Sequence, residues 1–206
     1  MKSNQTLLPT LALLACLLLA MPAHAERADA QKPLNISSDK GGRVDVVKQR
    51  TEFNGNVILS KGTMLLKAER LDVREASDGF FQAYASGEAG KPVSFRQARD
   101  VPGEAIEGHA EQLEYDTRSD TIRFVGNAVV RRTRSGAVAD EVTGAVILYD
   151  NRTEVFSVEG GQTSPHPNGR VRVVLMPRGA SAPEAAASAP PLTLQPSTVL
   201  QPRKPS

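Results

Sequence analysis

Apolar and polar residues alternate with a period of two in the middle of the chain. One parity is apolar and the other is polar: Ile122, Phe124, Ala128 and Val130 against Thr121, Arg123, Asn127 and Arg131. This pattern predicts a β-strand with one buried and one solvated face. An earlier stretch repeats it, with Phe53, Gly55, Val57 and Leu59 on the apolar parity. No long helical stripe interrupts these runs, so the sequence predicts an all-β, antiparallel fold.

The alternating runs belong to a longer internal repeat. The segment that begins at Tyr115 reads YDTRSDTIRFVG, and the segment that begins at Tyr149 reads YDNRTEVFSVEG. The two copies are shifted by about 34 residues. A weaker copy ends at Gly55 and a fourth ends at Gly87, each preceded by a small residue and an acid. The sequence therefore predicts four hairpin-like units that share one plan.

A single hairpin cannot shield its apolar face, so the four units are predicted to stack around a shared interior. The turn acids are expected to accept backbone N–H groups, as aspartate does in Asx-turns. Small inward residues such as Gly108, Ala110 and Ala128 favour an interior that leaves a groove. A β-sandwich filled by its own side chains is the alternative interpretation.

The two ends of the chain differ from this middle part. Residues 1–25 have a basic start, an apolar run and a small-x-small site at Ala23-His24-Ala25, which is typical of a cleaved signal peptide. A lipoprotein box ending at Cys16 is the rival interpretation. Residues 26–178 are predicted to form one domain. The Ala-, Pro- and Ser-rich residues 179–206 are predicted to be a disordered tail.

Composition narrows the possible functions further. The chain has 25 basic and 23 acidic residues, so charge does not favour a nucleic acid partner. Its one cysteine, Cys16, falls inside the predicted signal peptide, so no disulfide is expected in the exported protein. The predicted core must therefore be stabilised by packing and by strand pairing.

Candidate catalytic and metal-binding residues are sparse. Glu107, His109 and Glu111 share one face of a predicted strand, which suits either a metal site or, more simply, a solvated outer face. No serine, cysteine or histidine arrangement typical of nucleophilic catalysis is present, so we expect the protein not to be an enzyme. The basic run at residues 131–134 suits either a solvated turn or a rim that meets anionic groups.

Several motifs together resemble the OstA-like family of periplasmic lipopolysaccharide-export proteins. These are the two FxGN strands and the segments VPGEAIEGHAEQLEYD, GEAGKPVSF and RVRVVLMP. The resemblance covers about residues 32–177. It implies an open antiparallel β-jellyroll that carries the acyl chains of lipopolysaccharide in an apolar groove, in the periplasm and without a cofactor.

The resemblance also implies partners. Molecules of this family stack end to end, the C-terminal edge of one pairing with the N-terminal edge of the next. The implied neighbours are LptC at the inner membrane and the N-terminal domain of LptD at the outer membrane. Together the domains form a bridge for lipopolysaccharide export and outer membrane biogenesis.

Lipid-contacting residues are expected on the inward parity. The resemblance assigns Leu34 and Ile36 on the opening strand, Phe95 in KPVSF and Tyr115 in QLEYD, with Leu113 on the same parity. Periodicity adds six more: Phe53, Val57, Leu59, Phe124, Ala128 and Val130.

Other functions remain as alternatives. A structural periplasmic β-module would have a filled interior and no lipid cargo. A relative of LptC would keep its N-terminal segment as a membrane anchor. A carbohydrate-active enzyme would need converging carboxylates, whereas the acids of this sequence concentrate at turns and on outward parities.

Overall fold

The computed structural model describes Asp29 and residues 32–177, which form twelve strands in one continuous antiparallel sheet. The strands are β1 (Asn35–Ser37), β2 (Gly42–Asp45), β3 (Arg50–Lys61), β4 (Met64–Glu75), β5 (Phe81–Ser86), β6 (Val93–Ala98), β7 (Glu104–Ala110), β8 (Gln112–Asp116), β9 (Thr121–Arg134), β10 (Ala137–Asp150), β11 (Val155–Glu159) and β12 (Arg172–Leu175). A 3₁₀ turn, Pro167–Gly169, precedes β12. The predicted all-β class is confirmed.

The sheet divides into two half-sheets that share the four longest strands, β3, β4, β9 and β10. The first half-sheet has the order β2-β3-β4-β5-β8-β9-β10-β11. The second has the order β1-β3-β4-β6-β7-β9-β10-β12. Each long strand crosses from one half-sheet to the other, so the sheet folds over on itself and buries its inward face.

The repeated Gly-Asn steps mark the fold line between the half-sheets. Gly55 and Asn56 both have positive φ, and β3 shifts its register against β4 at this point. Gly126 and Asn127 do the same in β9 against β10. A two-residue bulge with left-handed backbone favours glycine followed by asparagine. The FxGN repeat thus encodes two bends, and we call the line of bends the spine.

The acids that precede each unit hold the spine in place. The side-chain amide of Asn56 donates to Asp39 at 3.0 Å, and that of Asn127 donates to Glu111 at 2.6 Å. The backbone N–H of Glu111 also donates to the carbonyl of Gly126 at 2.9 Å. Each of these two Gly-Asn steps is therefore held by the acid that opens its own unit.

Four hairpins build the first half-sheet, as the repeat predicted. Their turns follow Asp45, Glu75, Asp116 and Asp150. Oδ1 of Asp116 accepts the backbone N–H groups of Arg118 and Ser119, at 2.8 and 3.2 Å. Asp150 accepts from the two corresponding residues of its own turn. The predicted Asx-type role of these acids is confirmed at both turns.

The predicted boundaries at the two ends of the chain stay predictions. The described residues through Met176 form one compact unit. The predicted signal peptide, residues 1–25, and the predicted tail, residues 179–206, lie outside the described residues.

Candidate functional site

The apolar interior between the two half-sheets is the candidate lipid-binding region. Eight of the eleven predicted contact residues are buried and belong to one core cluster: Val57, Leu59, Phe95, Leu113, Tyr115, Phe124, Ala128 and Val130. The other three, Leu34, Ile36 and Phe53, are half-buried and pack against that cluster. All eleven residues therefore lie in the core or pack against it, on the inward face of the sheet. Their contact with lipid stays a prediction.

Aromatic residues join the two half-sheets across this interior. The ring of Phe95, on β6, meets the ring of Phe124, on β9, edge to face with centroids 5.8 Å apart. Gly108, on β7, lies directly against Phe124, since a Cβ built there would come within 2.6 Å of the ring. The small inward residues thus make room for the large ones, and in this conformation the predicted contact residues pack against one another.

A cleft lined by both apolar and polar residues opens where the interior reaches the N-terminal edge of the sheet. It has a volume of ≈ 490 Å³. Polar residues of the β2–β3 turn form part of its rim, and its apolar walls are Leu34, Ile36, Val44, Val46, Val73 and Phe81. We call it the mouth cleft. It brings together the two opening-strand residues that the sequence assigned to lipid contact, Leu34 and Ile36.

Four of the apolar residues of the mouth cleft were missed by the sequence analysis. Phe81 has the same parity as the buried Ala83 and Ala85, but the turn at residues 77–80 interrupts the pattern just before it. Val44 and Val46 lie in the weakest copy of the repeat, and Val73 lies in the C-terminal half of β4. The alternation of Phe81 with Ala83 and Ala85 is the signal that indicates its inward position.

A row of polar side chains closes the interior at the strand ends farthest from the spine. We call this row the seam. It consists of Lys61, Gln97 and Arg99 from the second half-sheet, and of Asp120, Asn151 and Glu154 from the turns of the first. Gln97 Oε1 accepts from Asn151 Nδ2 at 3.3 Å, and Arg99 pairs with Glu154. Both contacts join one half-sheet to the other.

Lys61 is a buried cation of the seam, and it lies beside two aromatic rings. Only 6 % of the residue is exposed. Its Nζ lies 5.5 Å from the ring centroid of Phe81 and 5.9 Å from that of Tyr115. Burial lowers the pKa of Lys61, although Asp120 and Asp29 oppose that shift. Burial and Asp120 also raise the pKa of Tyr115, whose hydroxyl donates to Asp120 at 3.5 Å.

The outward face does not assemble the metal site that Glu107, His109 and Glu111 allowed. Glu107 pairs with Arg96, and Glu111 accepts from Asn127. Burial, followed by the nearby charge of Arg131, lowers the pKa of His109. Within Asp29 and residues 32–177, no cluster of three or more potential metal ligands was found.

The basic run at residues 131–134 lies in β9 and not in a turn. Arg131 pairs with Glu141, Arg132 with Asp140 and Arg134 with Glu104. These pairs follow the register between β9 and its two neighbouring strands. In this conformation the run neutralises acids of the same sheet.

The described part of the chain contains no helix with the length and apolar character that crossing a membrane requires.

The sequence matches a known family over most of the described domain. Residues 35–155 match the model described as "LptA/(LptD N-terminal domain) LPS transport protein". The lipopolysaccharide export system protein LptA of Escherichia coli (strain K12) is 29% identical over 184 residues, covering 85% of this chain and 88% of that protein. LptA of Haemophilus influenzae is 27% identical over 155 residues, covering 75% and 83% respectively.

The fold also matches a solved structure. The crystal structure of LptH from Pseudomonas aeruginosa, described as the LptA homologous periplasmic component of the lipopolysaccharide transport device, superposes with a TM-score of 0.61. The match covers 72% of this chain and 99% of that one, at 18% identity. This likeness confirms the predicted β-jellyroll.

Proposed function

The chain belongs to the family of LptA and LptD N-terminal-domain lipopolysaccharide transport proteins, and from this premise we propose that it binds lipopolysaccharide in the periplasm and passes it from the inner to the outer membrane. The acyl chains lie between the two half-sheets while the sugars remain in water. The role is one of binding and handover, with no catalytic step and no cofactor.

One observation carries this proposal: the apolar interior is continuous with the mouth cleft at the N-terminal edge. Ile36 and Phe81 line the cleft and also pack against the core cluster. An acyl chain that entered there would meet the apolar side chains of Ile36 and Phe81 before it reached the core cluster. Ligand sites of this kind are concave and mostly apolar, with polar groups at their rim.

Binding energy and release must be balanced in such a carrier. Each buried methylene of an acyl chain gains about 0.8 kcal/mol. Because the interior side chains already contact one another, a lipid must displace those contacts before it gains its own. The displacement lowers the net affinity, which allows the lipid to move on.

The free strand edges support end-to-end stacking. β1 and β12 are the outermost strands of the second half-sheet, and β2 and β11 are those of the first. The C-terminal edge exposes Val173 and Leu175, at 52% and 72%. Unpaired edge strands with apolar side chains are templates for strand addition. We propose that copies of this chain, LptC and the N-terminal domain of LptD add at these edges.

A second candidate function is supported by the packing of the interior. Eight of the predicted contact residues fill one another's space, as a purely structural β-module requires. Such a module would stack end to end through the same edges but would bind no lipid. The two functions differ in one measurable property, which is the presence of lipopolysaccharide inside the protein.

Neighbouring residues on β1 allow a direct test. Ile36 faces the mouth cleft, whereas Asn35 is exposed on the opposite face of the same strand. A photoreactive benzophenone side chain is placed at either position, and the protein is irradiated with purified lipopolysaccharide. We expect a lipopolysaccharide-sized mass shift from position 36 and little from position 35. Equal labelling would contradict the inward route, and no labelling would favour the structural module.

A further inference from the structure

The N-terminal edge strand β1 is short for a strand that has to present its edge to a neighbour. It has three residues, Asn35–Ser37, and pairs only with β3 among the described strands. Asn35 and Ser37 are exposed, and Ile36 is half-buried. A strand with so few contacts is prone to fraying, because little offsets the entropy lost when it is ordered. The edge is therefore ready to pair only if other contacts hold β1 in place.

Asp39 anchors the end of β1 that lies nearest the spine. Its backbone N–H donates to the carbonyl of Gly55 at 2.9 Å, and its carboxylate accepts from the side-chain amide of Asn56 at 3.0 Å. Because Asp39 follows β1 closely in the chain, these bonds fix where the strand ends. The opposite end, nearest the seam, needs an anchor of its own.

A buried carboxylate upstream of β1 anchors that second end. Asp29 is only 4% exposed. Its Oδ1 accepts the backbone N–H of Thr63 at 2.9 Å, and its Oδ2 accepts from the Thr63 hydroxyl and from Gln97 Nε2, the latter at 3.4 Å. A carboxylate that is removed from water is tolerated where protein donors replace the water. Asp29 thus joins the chain before β1 to the β3–β4 turn and to the seam end of β6.

The β3–β4 turn leaves space for this carboxylate. Gly62 has a φ of +59°, and a Cβ built on it would come within 1.8 Å of Asp29 Oδ1. A side chain at position 62 would therefore need left-handed backbone and would also occupy the place of the carboxylate. The glycine of this turn consequently serves both the turn and the anchor.

A second turn connects the anchor to β1. The backbone N–H of Lys32 donates to the carbonyl of Asp29 at 3.1 Å. Only Pro33 and Leu34 separate Lys32 from β1. The ring of a proline fixes its φ, and Leu34 packs against the core cluster. The chain between Lys32 and Asn35 therefore has little freedom once Asp29 is bound.

We propose that Asp29 is a positioning residue for the N-terminal edge: it holds β1 extended along β3, so that the edge can pair with β12 of the next copy. This inference rests on the end-to-end stacking in the proposed function and adds the residue that prepares one of the two edges. A strand that is ordered before association does not lose that entropy on binding, and the affinity rises accordingly.

The effect of Asp29 should be confined to this one edge. Within the described part of the chain, its hydrogen bonds go to Lys32, Thr63 and Gln97, and none goes to β10, β11 or β12. The C-terminal edge is therefore independent of the anchor. This asymmetry separates a positioning role from a general contribution to stability.

Two single-edge variants isolate the N-terminal edge. Leu175→Lys blocks β12 and leaves β1 free, whereas Ile36→Lys blocks β1 and leaves β12 free. When the two are mixed, they can pair only through β1 of the first and β12 of the second, and sedimentation velocity measures the Kd. Asp29→Ala is then added to one member at a time. We expect the Kd to rise about tenfold when the Leu175→Lys chain carries Asp29→Ala.

The same substitution in the other member is the matched control. Asp29→Ala in the Ile36→Lys chain should leave the Kd unchanged, because that chain pairs only through β12. Equal weakening in both mixtures, or no change in either, would overturn the positioning role while leaving the stacking standing. If the two single-edge chains do not pair at all, then the proposed stacking and this inference are both wrong.

Hydrogen exchange gives a second reading that requires no assembly. Asp29→Asn keeps the size of the side chain but replaces one of its two acceptors by a donor, and it serves should Asp29→Ala fail to fold. We expect the β1 amides that β3 protects to exchange about fivefold faster in this variant, and those of β12 to exchange at an unchanged rate. Similar acceleration in both strands would indicate a general loss of stability and would contradict the positioning role.

Discussion

At the scale of single residues, the Gly-Asn steps show how a short motif sets the shape of the whole sheet. Gly126 has a φ of +78° and lies against the side chain of Glu111. Asn127 has a φ of +47° and is held by that same carboxylate. Asparagine tolerates left-handed backbone better than most residues do, whereas the glycine is required by both conformation and space.

The substitution Gly126→Ala should therefore destabilise the protein more than an equivalent change elsewhere. Left-handed backbone costs an alanine about 1–2 kcal/mol. At position 126 the added Cβ would also come within 2.9 Å of Glu111 Cδ. Gly136 provides the control, because its φ is +82° but nothing lies within 4 Å of its missing Cβ. Urea unfolding of both variants should give the larger loss for Gly126→Ala; equal losses would contradict the role of crowding.

At the scale of elements, the edge strands determine what the sheet can join. β12 is four residues long and pairs only with β10 among the described strands. Its side chains are largely apolar and exposed, which is the opposite of the charged edges by which monomeric sheet proteins avoid association. The strand is therefore suited to pairing with a further chain.

A charge placed on this edge should block stacking. Leu175→Lys puts an ammonium on a strand whose exposed face would otherwise meet a neighbour, and lysine is a common means of blunting an edge. We expect the variant to sediment as a monomer at concentrations where the unsubstituted protein forms larger species. Val101→Lys, in the β6–β7 turn at 47% exposure, is the matched control. Association that survives Leu175→Lys would contradict pairing through β12.

At the scale of the whole molecule, Glu104, Asp116 and Asp150 stabilise the folded state when they are ionised. Burial opposes the ionisation of Glu104, but Arg134, Arg99 and Arg132 outweigh it and lower its pKa below the ordinary 4.5. Asp116 and Asp150 also have lowered pKa values, because of Gln82 and of the Thr153 backbone respectively. The unfolded chain therefore binds more protons than the folded protein as the pH falls, and acid destabilises the fold.

The contribution of Glu104 can be isolated with Glu104→Gln. The stabilisation that the Glu104 carboxylate provides is fully present above about pH 4.5, and it is lost as the pH falls through the lower pKa that this group has in the folded state. The variant should lose about 2–3 kcal/mol at neutral pH, since the buried Arg99 loses a charged partner. The difference in the free energy of unfolding between the variant and the unsubstituted protein should then shrink as the pH falls. Urea unfolding at several pH values measures this difference.

The exposed pair between Glu114 and Arg123 provides the control for this measurement. Glu114→Gln should change the free energy of unfolding by less than about 0.5 kcal/mol, as exposed ion pairs contribute little. A difference between Glu104→Gln and the unsubstituted protein that stays constant with pH would contradict the linkage.

The sequence by itself determined the features that depend on neighbouring positions along the chain. Alternation placed Phe124 and Val130 on the inward face, and the Tyr-Asp repeat located the turns at Asp116 and Asp150. The repeated motifs also predicted the family and the all-β fold, which the comparisons confirmed. These features are local. The alternation within a strand or the aspartate at a turn predicts them without information from the rest of the chain.

Only the tertiary structure decided which distant residues meet. It brought Phe81 into the mouth cleft beside Ile36, filled the interior with the predicted contact residues, and placed Gln97 against Asn151 across the seam. It also resolved the basic run near Arg131 into ion pairs of a strand. Register and folding over the spine set these contacts, and both depend on how far each strand continues past its bend, which a pattern of period two does not record.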